Sequence, residues 1–382
     1  MVLPESLTSR LQTLLADPPA SKALAMMPGD QEELVRFVEQ HLGPRETLIQ
    51  AAADAVRTGA ITMGMLAWAA ERPVALAFAQ RAAGLIPAAS ISGTHIAAEI
   101  RAVRDALNHT AVLDVSALAV ASLIPGRLDQ LRAVFTATPT TTAVYDDIIR
   151  TRYALDNMLR SSGQMGVRDG RFTISEYSHQ DKAHLAQQAA IFARIIPSLQ
   201  PVEVPDLAEI HARLGLPTVP NEADAAGLSA AQHALDTGAA LWCDDTAMRD
   251  LLIKADIPTF GTVALLHVLA ELSDYPEFTD ERHDRDMRSL LEAWVVDLPI
   301  AVDDIAEVAA AEGWQPASAA ALFARPQLWA VDASRTLWAP VAEKVWDNEP
   351  DRLRGWFELA AVGVSTWMKP EEALQAVIQL VR

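Results

Sequence analysis

Three short apolar stretches, far apart in the chain, each run into aspartate where a strand should end. They are AVLDVSALAV (111–120), TATPTTTAVYDDII (136–149) and AALWCDDTAMRDLLIKADIPTFGT (239–262). In an open α/β sheet, ligands bind in the crevice outside the carboxyl ends of the strands. Asp114, Asp146, Asp147, Asp244 and Asp245 are therefore expected to converge, although long segments separate them. Packed carboxylates repel, so such a cluster needs a proton or a cation to hold it. That requirement points to a metal-dependent hydrolytic site.

The rest of the chain restricts the surroundings. A length of 382 residues suggests two or three domains. The hydrophobic content of 51% is globular with a helical bias. The longest apolar runs, such as ASAAALFA (317–324), are far short of a membrane span. The opening MVLPESLTSRLQ does not read as a signal peptide. A single cysteine, Cys243, gives no disulfide framework, which fits a reducing, cytoplasmic setting. In the middle of a predicted strand, that thiol reads as core. Motifs of the GxxxxGK[ST], HExxH, GxSxG and paired CxxC kinds are absent, which argues against ATPase, zinc-protease and serine-hydrolase chemistry.

A net charge of −19 should repel polyanions as a whole. A nucleic-acid substrate would need a local basic track. The stretch with Arg150, Arg152, Arg160, Arg168, Arg171 and Lys182 is the candidate, and Arg150, Arg152 and Arg160 are its proposed RNA contacts. Charge runs of this kind also arise simply as solvated helix faces.

Residues 1–108 read as an N-terminal helical region. ESLTSRLQTLLA (5–16) has helical apolar spacing. DQEELVRFVEQHLG (30–43) opens on acids and stops at glycine. MGMLAWAAERPVALAFAQRAAG (63–84) reads as a helix pair broken before Pro73. Residues 109–272 alternate strands and helices, which predicts a mainly parallel sheet flanked by helices. LRAVFTATP (131–139) is the second predicted strand, stopping at Pro139, and 141–162 the helix after it. Asp169-Gly170 marks a hairpin in MGVRDGRFTISEY. IPSLQPVEVPDLAEI (196–210) reads as a surface loop. Residues 280–382 read as a C-terminal helical domain holding seven of the nine tryptophans, expected to form a compact aromatic core.

The three acidic stretches resemble the PIN-like (PIN domain) nuclease family. LDVSAL (113–118) is similar to that family's LDTSAL pattern at the end of the first strand. VYDDII (144–149) supplies an acid at the head of the next helix, Asp where the family usually has Glu. LWCDDTAMRDLLIKADIPTFGTVALL (241–266) follows LDDxxARxxAxxxGIxxxGTxxLL almost throughout, with Arg249 in the arginine position and Gly261-Thr262 after the last strand. Val263, Ala264 and Leu265 follow that pair, where many members carry another Asp.

The resemblance implies a PIN-like α/β domain between helical arms. It also implies divalent-metal-dependent endonucleolytic cleavage of RNA, in a toxin or defence setting. Clustered carboxylates suit Mg²⁺ or Mn²⁺, which prefer oxygen ligands. Asp114 and Asp244 are the expected metal ligands, and Asp147 a further one, direct or through water, with Asp146 as its substitute if the helix register is shifted. Asp245 is a fourth acid or an orienter behind the ligands. Each of these aspartates could instead simply cap a helix. The alternative function is a catalytically inactive PIN-like scaffold that binds a protein partner through the helical arms. No membrane partner is expected.

Overall fold

The structure is a computed structural model, and it describes residues 45–90, 93–168, 171–215, 225–330 and 336–367. The predicted helices 5–16 and 30–43 and the Asp169-Gly170 turn lie outside the described residues.

The N-terminal part is helical through 45–57. It continues as α1 (Met63–Ala69) and α2 (Val74–Ala79), separated at Pro73 as the sequence predicts. Proline has no N–H to place inside a helix, and its fixed φ suits the entry to the next one. After β1 (Ile86–Pro87), α3 (Gly93–Ala106) leads into the central region.

That region is built on short parallel strands. β2 (Ala111–Leu113) is followed by α4 (Val115–Ala121) and α5 (Leu128–Arg132), then by β3 (Thr140–Thr141) and the long α6 (Thr142–Arg160). A hairpin of β4 (Gly163–Arg168) and β5 (Arg171–Glu176) and helix α7 (His179–Ile195) come next, then β6 (Pro201–Val202) and α8 (Ala208–Leu214). The region closes with α9 (Ala225–Thr237), β7 (Ala240–Trp242), α10 (Thr246–Lys254), β8 (Thr259–Phe260) and α11 (Thr262–Glu271).

β7 lies between β2 and β8, and all three are parallel. β3 pairs in parallel with β6. The AVL of β2 is buried at every position, and in β7 Leu241 and Trp242 are buried behind a half-buried Ala240. A parallel sheet covered on both faces selects such continuous apolar runs over alternating ones.

The second predicted strand is displaced. Leu131 belongs to helix α5, and regular pairing begins only at Thr140. The chain nevertheless runs beside β2 before that, because Ala137 and Pro139 offer carbonyls to the N–H groups of Ala111 and Leu113 at 3.1 and 2.9 Å. Proline lacks a donor but keeps its acceptor, so Pro139 did not end the pairing. The predicted surface loop 196–210 likewise contains β6, which the sequence reading missed.

The C-terminal part holds α12 (Asp280–Glu292), β9 (Val295–Val296), α13 (Val302–Ala311), α14 (Ser318–Ala321), α15 (Trp338–Asn348) and α16 (Leu353–Trp367). The expected aromatic core forms around Phe323, whose ring lies 5.2 Å from Trp338, 6.2 Å from Trp356 and 6.4 Å from Trp329. Gly363 permits this packing, since a Cβ there would collide with Trp329 and the Phe323 carbonyl. Trp346 stands apart at 59% exposure. The two helical parts also share a ladder that the sequence reading did not include, with Ile86 opposite Val295 and Pro87 opposite Val296. Among the described residues no helix is long and apolar enough to cross a membrane.

Candidate functional site

Asp114 follows β2 and caps α4. Its Oδ2 accepts from the Ser116 N–H at 3.0 Å and from the Ser116 hydroxyl. The same hydroxyl oxygen accepts from the backbone N–H groups of Asp244 at 2.8 Å and Asp245 at 3.2 Å. Ser116 therefore ties the ends of β2 and β7 together, which explains the serine in LDVSAL. The Oδ1 of Asp114 is buried with no hydrogen-bond partner.

Asp244 and Asp245 are neighbours that serve different places. Asp244 turns toward the end of β8, where its Oδ1 accepts from the Thr262 N–H at 2.7 Å and its Oδ2 from the Thr262 hydroxyl. The Gly-Thr pair is shaped for this contact. A Cβ on Gly261 would stand 3.0 Å from both Asp244 Oδ1 and Arg249 Nη1. Arg249 is fully buried, donating to the carbonyls of Cys243 at 2.8 Å and Ala88 at 2.9 Å, with its Nε 3.2 Å from Glu99. Glu99 in turn accepts from the Gly261 N–H at 3.1 Å. Sequence reasoning singled out Arg249 but missed Glu99, which sits in α3, outside all three acidic stretches.

Asp245 caps its own helix, accepting from Met248 N–H at 3.3 Å, and its other oxygen accepts from the Met63 N–H at 2.6 Å. Asp147 reaches the same N-terminal layer. Its two oxygens accept from the N–H groups of Val74 at 2.8 Å and Ala75 at 2.9 Å. The physical reason lies in α2, which starts after a proline and has no side-chain cap of its own. The first N–H groups of a helix need outside acceptors, and Asp147 provides both. Asp146, the alternative second acid, points to solvent.

Burial is the largest influence on all four carboxylates. It raises Asp114 and Asp147 above the ordinary carboxylate range, Asp244 to about 7 and Asp245 to about 6. The charge of Asp114 further raises both Asp147 and Asp245. Asp244 instead feels Arg249 and Glu99. Electrostatically, then, Asp114, Asp147 and Asp245 form one group and Asp244 belongs to another. Cys243 is a fully buried thiol beside them, and burial pushes its pKa well up.

Mg²⁺ or Mn²⁺ demands near-octahedral oxygen ligation. Asp147 and Asp245 already have both oxygens engaged by N–H donors, which leaves Asp114 Oδ1 as the unengaged oxygen of the group. Among the described residues, no group of three or more His, Cys, Asp or Glu side chains is arranged to hold a metal ion. The residues in this arrangement do not fit a metal.

The fold and the acids at its strand ends agree with one known family. Residues 112–252 match the family PIN-TPR-GreABC, described as a PIN domain associated with the TPR-GreAB-C-PIN system. The central region is PIN-like. No curated protein and no solved structure matches the chain. The matched segment runs from within β2 into α10 and so takes in Asp114, Asp147, Asp244 and Asp245.

The basic candidates lie on α6. Arg150, Arg152 and Arg160 are all exposed, and Arg152 is 3.7 Å from Asp156 one turn on. They share their helix with Asp147 but stand on its outer face.

Proposed function

We propose that this chain is a PIN-like interaction module whose acidic residues hold the N-terminal helices in place instead of a metal ion. One observation carries the reading. Asp147 and Asp245 spend their oxygens on backbone N–H groups at the starts of α1, α2 and α10, and both are buried. Helix starts carry partial positive charge, so they offset the carboxylates as a cation otherwise would. The family's description, a PIN domain associated with a TPR-GreAB-C-PIN system, supports a role among other protein components. In this reading α1 and α2 close the acidic centre, the region 109–272 forms the PIN-like scaffold and helices α12 to α16 buttress it.

A second reading, Mg²⁺- or Mn²⁺-dependent hydrolysis of RNA, is favoured by the unpaired Asp114 Oδ1 and by the charge of Asp114 acting on Asp147 and Asp245. It requires α1 and α2 to withdraw. A metal held there would activate water and stabilise charge on the leaving oxygen. Asp114, Asp147 and Asp245 would hold it, Asp244 would orient the Gly-Thr turn, and Arg150, Arg152 and Arg160 would meet RNA phosphates.

Melting of the pure protein with Mn²⁺ and with EDTA, beside incubation with a mixed-sequence labelled RNA, separates the two. The scaffold reading expects equal melting temperatures and intact RNA, since only a ligand that binds the folded state raises stability. RNA cleavage lost both in EDTA and in Asp114→Asn would establish the nuclease instead.

A further inference from the structure

A cleft of about 160 Å³ lies between the end of α2, the second half of α6, the β4–β5 hairpin and α7. Its walls are apolar, from Leu155, Met158 and Leu185. Its polar groups are the amides of Gln80, Gln164 and Gln188, the Tyr177 phenol and three titratable side chains, Arg81, Asp181 and His184. Gln188 is the informative one. It is 6% exposed and lines the cleft, and its amide makes no hydrogen bond among the described residues. Its polar atoms are not among the buried ones that lack a partner, so they open to the water of the cleft, where a ligand can take them up.

We propose that this cleft binds one neutral nucleobase, an adenine ring, with the Gln188 amide on its hydrogen-bonding edge and Met158 and Leu185 against its faces. The chemistry selects this class. Small-molecule sites combine apolar walls with a few placed polar groups. A glutamine amide offers a donor and an acceptor side by side, which pairs bidentately with the N6 and N7 positions of adenine. The charges at the rim do not favour a phosphate. Arg81 is occupied over the Trp294 ring, 4.6 Å from its centroid, and the exposed His184 stands beside an acid, Asp181, whose charge it meets. The cleft also touches the acidic centre through two elements. Ala79 ends α2, whose first N–H groups hold Asp147, and Leu155 and Met158 lie on the helix that carries Asp147.

The test is calorimetric titration of the full chain with adenosine, with a single-stranded oligoadenylate in a second arm and uridine in a third. The expected result is saturable adenine binding that exceeds uridine binding and is weakened roughly tenfold or more by Gln188→Leu. The same variant should keep or raise the melting temperature, which separates a lost ligand contact from a lost fold. Binding in the adenosine arm identifies a free nucleoside as the ligand, and binding in the oligoadenylate arm alone identifies a base within a strand. Failure of both adenine probes to bind, or binding unchanged in Gln188→Leu, would overturn the proposal. Neither result depends on whether the acidic centre cleaves RNA.

Discussion

Adjacent acids in this chain have different work, and single substitutions can expose the difference. Asp147 accepts from two backbone N–H groups, whereas Asp146 is exposed. Asparagine at 147 has one acceptor oxygen, so Asp147→Asn leaves a buried N–H of α2 without its partner. Urea denaturation should show a loss of about 1–3 kcal/mol, and Asp146→Asn should be neutral. The sequence left this distinction open, because it turns on the register of the helix, and the structure supplies that register. Val144, Ile148, Thr151 and Leu155 mark a buried helical stripe, and Asp147 lies on it. The division between Asp244 and Asp245 was not legible. They sit past the end of β7, where successive side chains leave in different directions, and only the position of Thr262 and Met63 decides which goes where.

The same pair carries a pH dependence. Asp244 and Asp245 have folded values of about 7 and about 6 against an ordinary 3.8, with burial the main cause. A raised carboxylate favours folding when protonated. Its contribution is full below the ordinary value and is lost as pH rises through the folded one. Asp244 faces Arg249, Thr262 and Glu99, and these contacts only partly offset burial. Stability of the wild type should therefore decline as pH rises from about 4 to about 8. Asp244→Asn keeps an acceptor for Thr262 and removes the buried charge. It should flatten the upper part of that decline and be more stable at pH 8 by on the order of 1–3 kcal/mol. A steeper decline, or a clear loss of stability, would mean that Arg249 needs Asp244 as its counter-charge.

At the scale of elements, the parallel strands and long helices followed from apolar runs and helical spacing, while the joints between them did not. A strand of two residues, such as β3, is too short to show a pattern, and β6 is half hidden by prolines. The junction of the central region with α12 is another such joint. Arg127, 1% exposed, donates from Nε to Asp286 at 2.7 Å and lies over the Phe278 ring at 4.3 Å. Nothing in a run of local sequence joins positions 127 and 286. Removing one member of a buried ion pair strands the other charge, while replacing both by apolar groups is often tolerated. Arg127→Met should thus lose about 3–5 kcal/mol in denaturant titrations, only partly relieved by Arg282, which is 3.5 Å from Asp286. Adding Asp286→Leu to that variant should recover most of the loss. If the double variant is no better than the single, the arginine acts through its packing on Phe278.

Across the whole molecule, the acidic centre is where the parts of the chain depend on one another. Met63 and Asp245, and Val74 and Asp147, are hydrogen-bonded across 182 and 73 positions. Buried apolar residues from Ala52 to Val364 form one connected cluster, and β1 joins β9 across the ends. A central segment cut out at 109–272 would keep Asp147 and Asp245 but lose the N–H groups that hold them. It would also expose the faces that pack against α1, α2 and α3. Charged groups without partners are expelled from a core rather than kept in it. The full chain is therefore expected to melt in calorimetry as one transition, with calorimetric and van't Hoff enthalpies agreeing. The excised segment should melt broadly or not at all. Two or more resolved transitions, with one reproduced by the isolated 109–272 segment, would mean that the PIN-like region stands alone. The N-terminal helices would then be a detachable cover over Asp114, Asp147 and Asp245, which is the state the nuclease reading requires.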